Sequence, residues 1–314
     1  MSNLASHVVD PRRSALQGSL LGGSLFRSDW VATGNQRLFH RHWRPAGDVH
    51  SRLLILHGYG DHSGRFAHVM QWFAERGVAC EAFDFRGHGR SSGRRGYVSR
   101  WQEFLDDLKS MLSASHQNAG RDGYLGRPMF VLGHSHGGLV AATAGTDGVL
   151  NPPEIAGVIL TAPYLRPATS LGPLWTAIAA VTNILAPSLR VGSGLSADMM
   201  TSDAGMIEDS RNDTLLLRAA TPRWYATTLR RQQQTSANAA RFKLPLLCLH
   251  GDADRVADAS AAKAFVEGTS NPDRSFVLLA GQKHEILREV NREASFERIF
   301  DWMRRSSQVA VTGI

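Results

Sequence analysis

The chain contains 314 residues, 43% hydrophobic and 20% charged, proportions that are ordinary for a globular protein and exclude the fibrous and disordered classes. Its formal net charge of +7 is spread along the chain, without the basic stripe and interleaved aromatic residues of a nucleic-acid interface. We therefore expect no nucleic-acid partner. The charge serves solubility or a mild attraction to anionic lipids or acidic substrates, and the sequence leaves both open.

The N-terminal residues carry no clean secretory signal, because glycines and serines interrupt the leucines of residues 1–28, and we expect an N-terminal tail there. The longest weakly polar stretch, residues 171–187, falls short of the ~20 apolar residues that span a bilayer, so no transmembrane helix is expected. Cys80 and Cys248 each lie in an apolar run typical of a buried strand. This favours free thiols and a cytoplasmic location.

Short apolar runs recur along the chain, mostly with helical patterns between them. Such an alternation predicts an α/β fold with a mostly parallel central sheet and helices on both faces. The predicted strands are residues 53–56, 78–83, 129–132, 155–160, 244–249 and 276–279, and the predicted helices are residues 66–76, 101–117, 138–147, 260–267 and 291–305.

The alternation stops between residues 162 and 242. A stretch of that length inside a compact domain predicts a helical cap insertion at residues 164–242, which leaves residues 29–163 and 243–314 as the core. Apolar residues in its first half recur close to helical spacing: Leu171, Leu174, Trp175, Ile178, Val181, Ile184 and Leu185. This face either packs on the cap's own core, or lines an acyl tunnel or touches lipid; the sequence does not decide between these interpretations.

A serine stands in the turn after the third predicted strand. The motif GHSHGG at residues 133–138 follows the apolar run at residues 129–132 and opens a segment of small residues. This is the setting of a nucleophile elbow, in which a sharp turn exposes the serine hydroxyl and glycines allow close approach. Ser135 is therefore the candidate nucleophile, and the alternative is an ordinary glycine-rich turn.

A serine nucleophile needs a histidine as general base and a carboxylate that fixes the tautomer of the imidazole. In serine hydrolases built on an open α/β sheet, the acid and then the histidine follow the serine, each at the C-terminal end of a strand. His284 follows the predicted strand at residues 276–279 and is the candidate base. Asp252 and Asp254 both follow the strand at residues 244–249, and position alone does not decide between them.

The oxyanion that forms during acyl transfer needs two backbone N–H donors, one from the residue after the nucleophile and one from an early loop between a strand and a helix. His136 supplies the first by its position. The loop after residues 53–56 is rich in glycine and opens a helix, so the N–H of Tyr59 is the candidate for the second. The histidines show no spacing typical of zinc ligands, and we expect neither a metal nor a cofactor.

Four segments of the chain form a set of motifs in a fixed order. They are HGYGDHSGRF at residues 57–66, FDFRGHGRSSG at 83–93, GHSHGG at 133–138, and GDADRV at 251–256 with His284-Glu285. This set resembles the monoacylglycerol lipase and lysophospholipase family of serine α/β-hydrolases. The resemblance implies an α/β-hydrolase fold, Asp254 as the acid that partners His284, and monoacylglycerol or lysophospholipid substrates. Asp61 and His136 depart from the family, which more often has glutamate and methionine at these positions.

The leading hypothesis is a carboxylic-ester hydrolase that works through Ser135, His284 and Asp254 and an acyl-enzyme. A peptidase or amidase on the same triad is the first alternative, and it would need a pocket for an N-terminal amine. A non-catalytic ligand-binding protein is the second, since fold alone does not determine function. The expected partner is a small lipid ester. Transient contact of the cap with a membrane surface is left open, and no oligomeric state is predicted.

Overall fold

The computed structural model describes residues 19–21, 24–151, 154–169 and 172–312. Its strands are β1 (Ser19–Leu21), β2 (Ser24–Thr33), β3 (Gln36–Pro45), β4 (Ser51–Leu56), β5 (Val78–Phe83), β6 (Met129–His134), β7 (Ile155–Thr161), β8 (Val191–Gly192), β9 (Ala219–Ala220), β10 (Leu246–Gly251) and β11 (Arg274–Leu279). Its α-helices are α1 (Ala67–Ala74), α2 (Gln102–Arg121), α3 (His136–Thr146), α4 (Pro173–Leu185), α5 (Ala197–Met200), α6 (Ala204–Asn212), α7 (Pro222–Ala237), α8 (Ala259–Gly268) and α9 (Arg292–Thr312).

Within the described residues, the central sheet has nine strands in the order β1-β2-β3-β5-β4-β6-β7-β10-β11. Strands β5, β4, β6, β7, β10 and β11 run parallel to one another, while β1, β2 and β3 join in antiparallel fashion at one edge. β4, β5, β6 and β10 are buried along their whole length, as expected for parallel strands that are covered on both faces. The predicted α/β fold with a mostly parallel sheet is confirmed.

Two layers of apolar side chains, one on each face of the sheet, form the core. Successive residues of a strand point to opposite faces, and accordingly Leu54 of β4 belongs to one layer and Leu53 to the other. Helices α2, α3 and α8 complete the first layer, which includes Phe104. Helices α1 and α9 complete the second, which includes Phe73 and Ile299. Because both faces are packed, the C-terminal ends of the parallel strands are held at fixed positions along one edge.

The sheet begins earlier than the sequence predicts. Of the predicted tail at residues 1–28, residues 1–18, 22 and 23 lie outside the described residues. Ser24–Thr33 is strand β2 and pairs with β3 along its whole length. Gly34, in the turn between these strands, has a φ of +55°, the left-handed conformation that a tight hairpin turn requires. The predicted boundary at residue 29 is therefore wrong. The two glycines before residue 24 favour a loop in the sequence, but strand β2 starts directly after them.

The chain leaves the sheet between β7 and β10 and builds α4 to α7 and the two-stranded sheet of β8 and β9. In this cap insertion, α7 packs against α3, and α4 packs against α7. A backbone bridge between Pro167 and Ala257 ties its start to the loop after β10, as does the hydrogen bond from Ala168 N to Val256 O at 3.0 Å. Within the described part of the chain, no helix is both long enough and apolar enough to cross a membrane.

Candidate active site

Ser135 occupies the turn between β6 and α3 in a strained backbone conformation, with φ +53° and ψ −116°. Backbone hydrogen bonds hold this turn: Ser135 N donates to Thr161 O at 3.0 Å, and Tyr164 N donates to Ser135 O at 2.9 Å. The neighbouring glycines are needed for close approach, since a Cβ at Gly133 would lie 2.5 Å from the carbonyl oxygen of Gly137. The local sequence therefore produces a tight turn that sets the serine side chain at the end of the strand.

His284, in the loop after β11, joins Ser135 to Asp254. Its Nε2 lies 2.8 Å from Oγ of Ser135, and its Nδ1 lies 2.8 Å from Oδ2 of Asp254. A carboxylate can only accept, so Nδ1 carries the hydrogen and Nε2 is free to accept the hydrogen of the serine hydroxyl. The three side chains are almost fully buried. The structure thus brings a hydroxyl, a base and an orienting carboxylate into one series from three separate loops.

Four donors surround the carboxylate of Asp254. Its Oδ1 accepts from the N–H groups of Val256 at 2.7 Å and Ala257 at 3.0 Å. Its Oδ2 accepts from His284 and also lies 3.1 Å from Nε2 of His250. Burial raises the pKa of Asp254, but the two imidazoles and the Val256 N–H outweigh burial and hold this pKa well below its usual range. The carboxylate of Asp254 is therefore ionised in the folded protein at neutral pH.

The structure separates the two aspartates that the sequence does not distinguish. Oδ1 of Asp252 accepts from the N–H of Gly281 at 2.7 Å, so this carboxylate braces the loop that carries His284. His250 is a site residue that the sequence analysis did not identify; it is fully buried at the end of β10 and contacts Asp254. One feature of the sequence could have identified His250: it is a polar residue at the end of an otherwise apolar strand, four positions before Asp254.

The two predicted oxyanion donors lie on either side of the serine turn. His136, the first residue of α3, directly follows Ser135. Tyr59 lies in the loop after β4, which passes close to the serine, since a Cβ at Gly58 would lie 3.3 Å from the Cβ of Ser135. Gly58, Tyr59, Ser135 and His284 line one cavity. The loop after β4 therefore passes directly beside Ser135 and lines the same cavity.

His57 anchors the loop after β4 to the core. Its Nδ1 donates to Gly58 O at 2.7 Å, and its Nε2 accepts from Phe85 N at 2.9 Å. Burial lowers the pKa of His57, which keeps the ring in the neutral form that can donate through one nitrogen and accept through the other. The structural role of this histidine, which holds the turn at Gly58, therefore also serves the site.

The side chain of His136 is fully buried among aromatic rings. Its ring centroid lies 4.7 Å from that of Phe104, 5.2 Å from that of Trp101 and 5.6 Å from that of Trp224. Burial lowers the pKa of His136 well below its usual value, so the ring is neutral. His136 therefore packs as an aromatic residue, although a histidine in this position could be mistaken for a second base.

A buried ion cluster forms the polar side of the cavity in front of Ser135. Arg65 lies 3.2 Å from Oδ1 of Asp61 and 2.9 Å from Oε2 of Glu285, and it donates to Oγ of Ser210 at 2.8 Å. Burial raises the pKa of Asp61, but Arg65 outweighs this effect and lowers the pKa to about 2. The carboxylate of Asp61 is therefore ionised. Asp61 and Glu285 both bind Arg65, which links the loops of Tyr59 and His284 to α6.

Residues 47–291 match the family described as serine aminopeptidase, S33. The monoacylglycerol lipase of Mycolicibacterium smegmatis is 28% identical over 275 residues, which are 87% of this chain and 95% of the relative. Phospholipase YtpA of Bacillus subtilis is 29% identical over 246 residues, 78% of this chain and 92% of the relative.

One solved structure is a soluble variant of monoglyceride lipase from Saccharomyces cerevisiae in complex with a substrate analog. It superposes with a TM-score of 0.75 at 21% identity, and the superposition covers 96% of this chain and 99% of that chain. At this level of identity, the likeness shows that the two proteins share a fold.

Proposed function

Because the chain belongs to the α/β-hydrolase family described as serine aminopeptidase, S33, and is a serine hydrolase, we propose that it hydrolyses carboxylic esters of lipids. The observation that carries the proposal is the hydrogen-bonded series from Ser135 through His284 to Asp254, with 2.8 Å at each link. The relatives named monoacylglycerol lipase and phospholipase support a lipid ester as the substrate. Monoacylglycerols and lysophospholipids are the proposed substrate classes.

In the proposed mechanism, Nε2 of His284 takes the hydroxyl proton of Ser135 while Oγ attacks the acyl carbon. The carbonyl oxygen becomes an oxyanion and accepts from the N–H groups of Tyr59 and His136. The imidazolium then gives its proton to the alcohol oxygen, the ester C–O bond breaks, and the alcohol leaves. Water then attacks the acyl carbon while His284 takes its proton. The bond from the acyl carbon to Oγ breaks, His284 returns the proton to Oγ of Ser135, and the carboxylic acid leaves. Asp254 stays ionised and stabilises the imidazolium throughout.

The surroundings of the serine suit an ester with one polar and one apolar end. The ion cluster of Arg65, with Ser210, faces the cavity and can hydrogen-bond a hydroxylated alcohol group. On the cap insertion, an apolar groove lined by Trp175, Ile178 and others shares Ser193 with the cavity of Ser135. We propose that the acyl chain lies toward this groove, since apolar area buried there is favourable by roughly 25 cal/mol per Å².

The family description raises the alternative of an aminopeptidase. An N-terminal amine is a cation and needs an unpaired carboxylate or several free acceptors at the site. The carboxylates that line the cavity, Asp61 and Glu285, both bind Arg65 instead. An additional cation would compete with a guanidinium that is already in place, so the electrostatics of the cavity disfavour an N-terminal amine.

We also propose that the cap insertion contacts membrane surfaces transiently. The apolar face of α4 is exposed: Leu174 is 70%, Ile184 75% and Leu185 78% accessible. The sequence contains no acidic residue between Glu154 and Asp198, so an anionic lipid surface meets no repulsion along this segment. Exposed apolar residues on one helix, without nearby negative charge, are typical of a helix that lies in the membrane interface.

Hydrolysis of p-nitrophenyl esters from acetate to palmitate, with 1-monoacylglycerol and lysophosphatidylcholine in parallel, tests the proposal. Ser135→Ala is expected to lose about 10⁴-fold or more in kcat. Asp254→Asn is expected to lose about 10⁴-fold, because the amide favours the wrong tautomer of the imidazole. Asp252→Asn is the matched control and should stay within about tenfold of the wild type, since Asp252 does not contact His284.

Two outcomes would contradict the proposal. A wild type that is inert on every ester would leave the hydrogen-bonded series without its expected chemistry. Equal activity of the wild type and Ser135→Ala would show that another group performs the reaction. Aminoacyl p-nitroanilides test the peptidase alternative in the same assay. Faster turnover of these amides than of any ester would favour a peptidase.

A further inference from the structure

Trp224, in the first turn of α7, is buried where the cap insertion meets the loop after β4. Its indole stacks on the ring of Tyr59, with the ring centroids 3.6 Å apart and the planes inclined by 24°. Stacked aromatic pairs have preferred geometries, so this contact constrains the ring of Tyr59 more than burial alone would. The contact links a helix of the cap insertion to a residue whose N–H is a proposed oxyanion donor.

The same indole also contacts the residue that carries the other proposed donor. The centroids of Trp224 and His136 lie 5.6 Å apart with the planes inclined by 62°, and those of Tyr59 and His136 lie 6.1 Å apart. The three rings therefore form a triangle. Trp224 is the member of this triangle that comes from the cap insertion, and Tyr59 and His136 carry the two proposed oxyanion donors.

The hydroxyl of Tyr59 provides a second link to α7. It donates to Gly96 O at 2.9 Å, and Oγ1 of Thr221 donates to the same carbonyl oxygen at 2.7 Å. Thr221 also caps α7, because Oγ1 accepts from the N–H of Trp224 at 3.4 Å. Pro222 is the first helical residue, where its fixed φ suits a helix start. One turn of chain therefore begins the helix, binds Gly96 and directs the indole toward Tyr59.

The backbone next to Tyr59 is held from the same side. Leu217 N donates to Gly60 O at 2.7 Å. Gly60 has a φ of +79°, and a Cβ there would lie 2.6 Å from the carbonyl oxygen of Leu217, so only glycine allows this approach. On the other side, His57 anchors Gly58 to the core. The N–H of Tyr59 thus lies in a short segment clamped between the core and the cap insertion.

We infer that Trp224 is a positioning residue for the oxyanion hole, which it holds in place through Tyr59 and His136. The inference rests on the proposed function, because the two N–H groups act as oxyanion donors only if an acyl carbonyl reacts at Ser135. A misplacement of about 1 Å at a catalytic group costs up to about 10²-fold in rate. The ground-state ester depends far less on these donors, so loss of Trp224 lowers kcat and leaves KM nearly unchanged.

Steady-state hydrolysis of p-nitrophenyl butyrate by the wild type, Trp224→Phe and Trp224→Leu measures this split. Trp224→Leu is expected to lose about tenfold in kcat with KM within about twofold. Trp224→Phe keeps a ring on Tyr59 and should lose less than about threefold. A trifluoromethyl ketone forms a tetrahedral oxyanion with the serine, so its Ki should rise in Trp224→Leu by the factor by which kcat/KM falls.

Trp302→Leu is the matched control. Trp302 is as buried as Trp224, but it packs against Phe130 in the core layer on the opposite face of the sheet. This variant should unfold at a lower temperature while kcat and Ki stay unchanged. If Trp224→Leu does not fold, Trp224→Met takes its place, because it keeps an apolar side chain and removes the ring stacked on Tyr59. It should lose about tenfold in kcat with a matching rise in Ki, and wild-type values of both would overturn the inference.

The inference is overturned if folded Trp224→Leu has the kcat and Ki of the wild type. It is also overturned if Trp302→Leu loses kcat and inhibitor affinity to the same extent, because the effect would then reflect general loosening of the fold. Failure of the proposed function has a different signature, an inert wild type or an active Ser135→Ala.

Discussion

His250 gives the carboxylate of Asp254 a hydrogen-bond donor that takes no direct part in the proposed reaction. Its Nε2 lies 3.1 Å from Oδ2 of Asp254 and 3.2 Å from Ala257 O. Both neighbours are acceptors, so the hydrogen resides on Nε2 and the ring has one orientation. With Oδ1 held by backbone N–H groups and Oδ2 by two imidazoles, the carboxylate cannot rotate away from His284 without breaking several hydrogen bonds at once.

Replacement of His250 separates the role of the donor from the role of the ring's bulk. His250→Leu removes the N–H, and we expect kcat to fall about tenfold because the carboxylate gains freedom to turn. His250→Gln keeps an N–H at similar reach and should stay within about threefold of the wild type. Steady-state kinetics on a short ester measure both, with thermal unfolding as the check of folding. Equal losses in the two variants would show that ring volume matters rather than the hydrogen bond.

The sequence predicts some residues of the site better than others. Ser135 and His284 follow predicted strands, so their relative position could be inferred from the topology of an α/β sheet. Asp252 and Asp254 leave the same strand two residues apart, and the path of the loop decides which of them faces the imidazole. His250 shows no pattern of its own, since a single histidine in an apolar strand is most often a structural residue.

At the scale of elements, helix α4 shows what apolar periodicity can predict. The spacing of its apolar residues predicts a helix, and the structure has one at Pro173–Leu185. The same spacing does not reveal what covers the apolar face, because that depends on how the rest of the cap insertion folds. In the structure the face is largely exposed, with Ile178 at 43% and Trp175 at 62% accessible. The alternative in which this face packs on the cap's own core is therefore wrong for these residues.

Membrane contact through α4 predicts an effect of the double variant Ile184→Ser, Leu185→Ser. We expect about tenfold weaker binding to vesicles of phosphatidylcholine and phosphatidylglycerol, because two apolar side chains no longer enter the interface. Vesicle sedimentation measures the binding. Leu278→Ser is the matched control, since Leu278 is 54% accessible but lies on β11, outside the cap insertion. Unchanged binding of the double variant, or equal loss in the control, would argue against contact through α4.

The strands that escape prediction share a physical cause. A parallel strand covered on both faces is continuously apolar and is readily found in a sequence. Strand β2 lies near the antiparallel edge and is buried at only three of its ten positions, so its sequence contains no long apolar run. Strand β3 carries buried histidines, His40 and His42, among its apolar residues. The parallel strands, which hold the site, can therefore be predicted from the sequence, while the antiparallel edge cannot.

At the scale of the whole molecule, buried histidines make stability depend on pH. Burial lowers the pKa of His42 and His68 to about 4 and that of His88 and His134 to about 3. An unfolded chain binds protons at these residues near the ordinary pKa of about 6.5. The unfolded state therefore binds more protons as the pH falls below 6.5, and stability that is present above this pH is lost on acidification.

We expect the free energy of unfolding in urea to fall between pH 6.5 and pH 5.5, with each such histidine adding up to about 1.4 kcal/mol per pH unit to the slope. His68→Gln should reduce the slope, because it removes one group that binds a proton on unfolding while an amide can still donate to Leu287 O. The exposed His116 provides the matched control, His116→Gln. A slope that is the same in the wild type and His68→Gln would contradict this account.

The position of α7 in the chain has a consequence for how the molecule can vary. Strands β7 and β10 are parallel neighbours, and such a pair requires a crossover connection that normally contains a helix. Residues 238–245 connect helix α7 to β10, and α7 packs on α3, so it serves as that crossover. The cap insertion therefore has two parts. Helix α7 is the crossover that the parallel sheet requires, while α4 to α6 form a separate segment that precedes α7 in the chain. Substitutions in α4 to α6 can therefore change substrate preference without altering the crossover helix that carries Trp224.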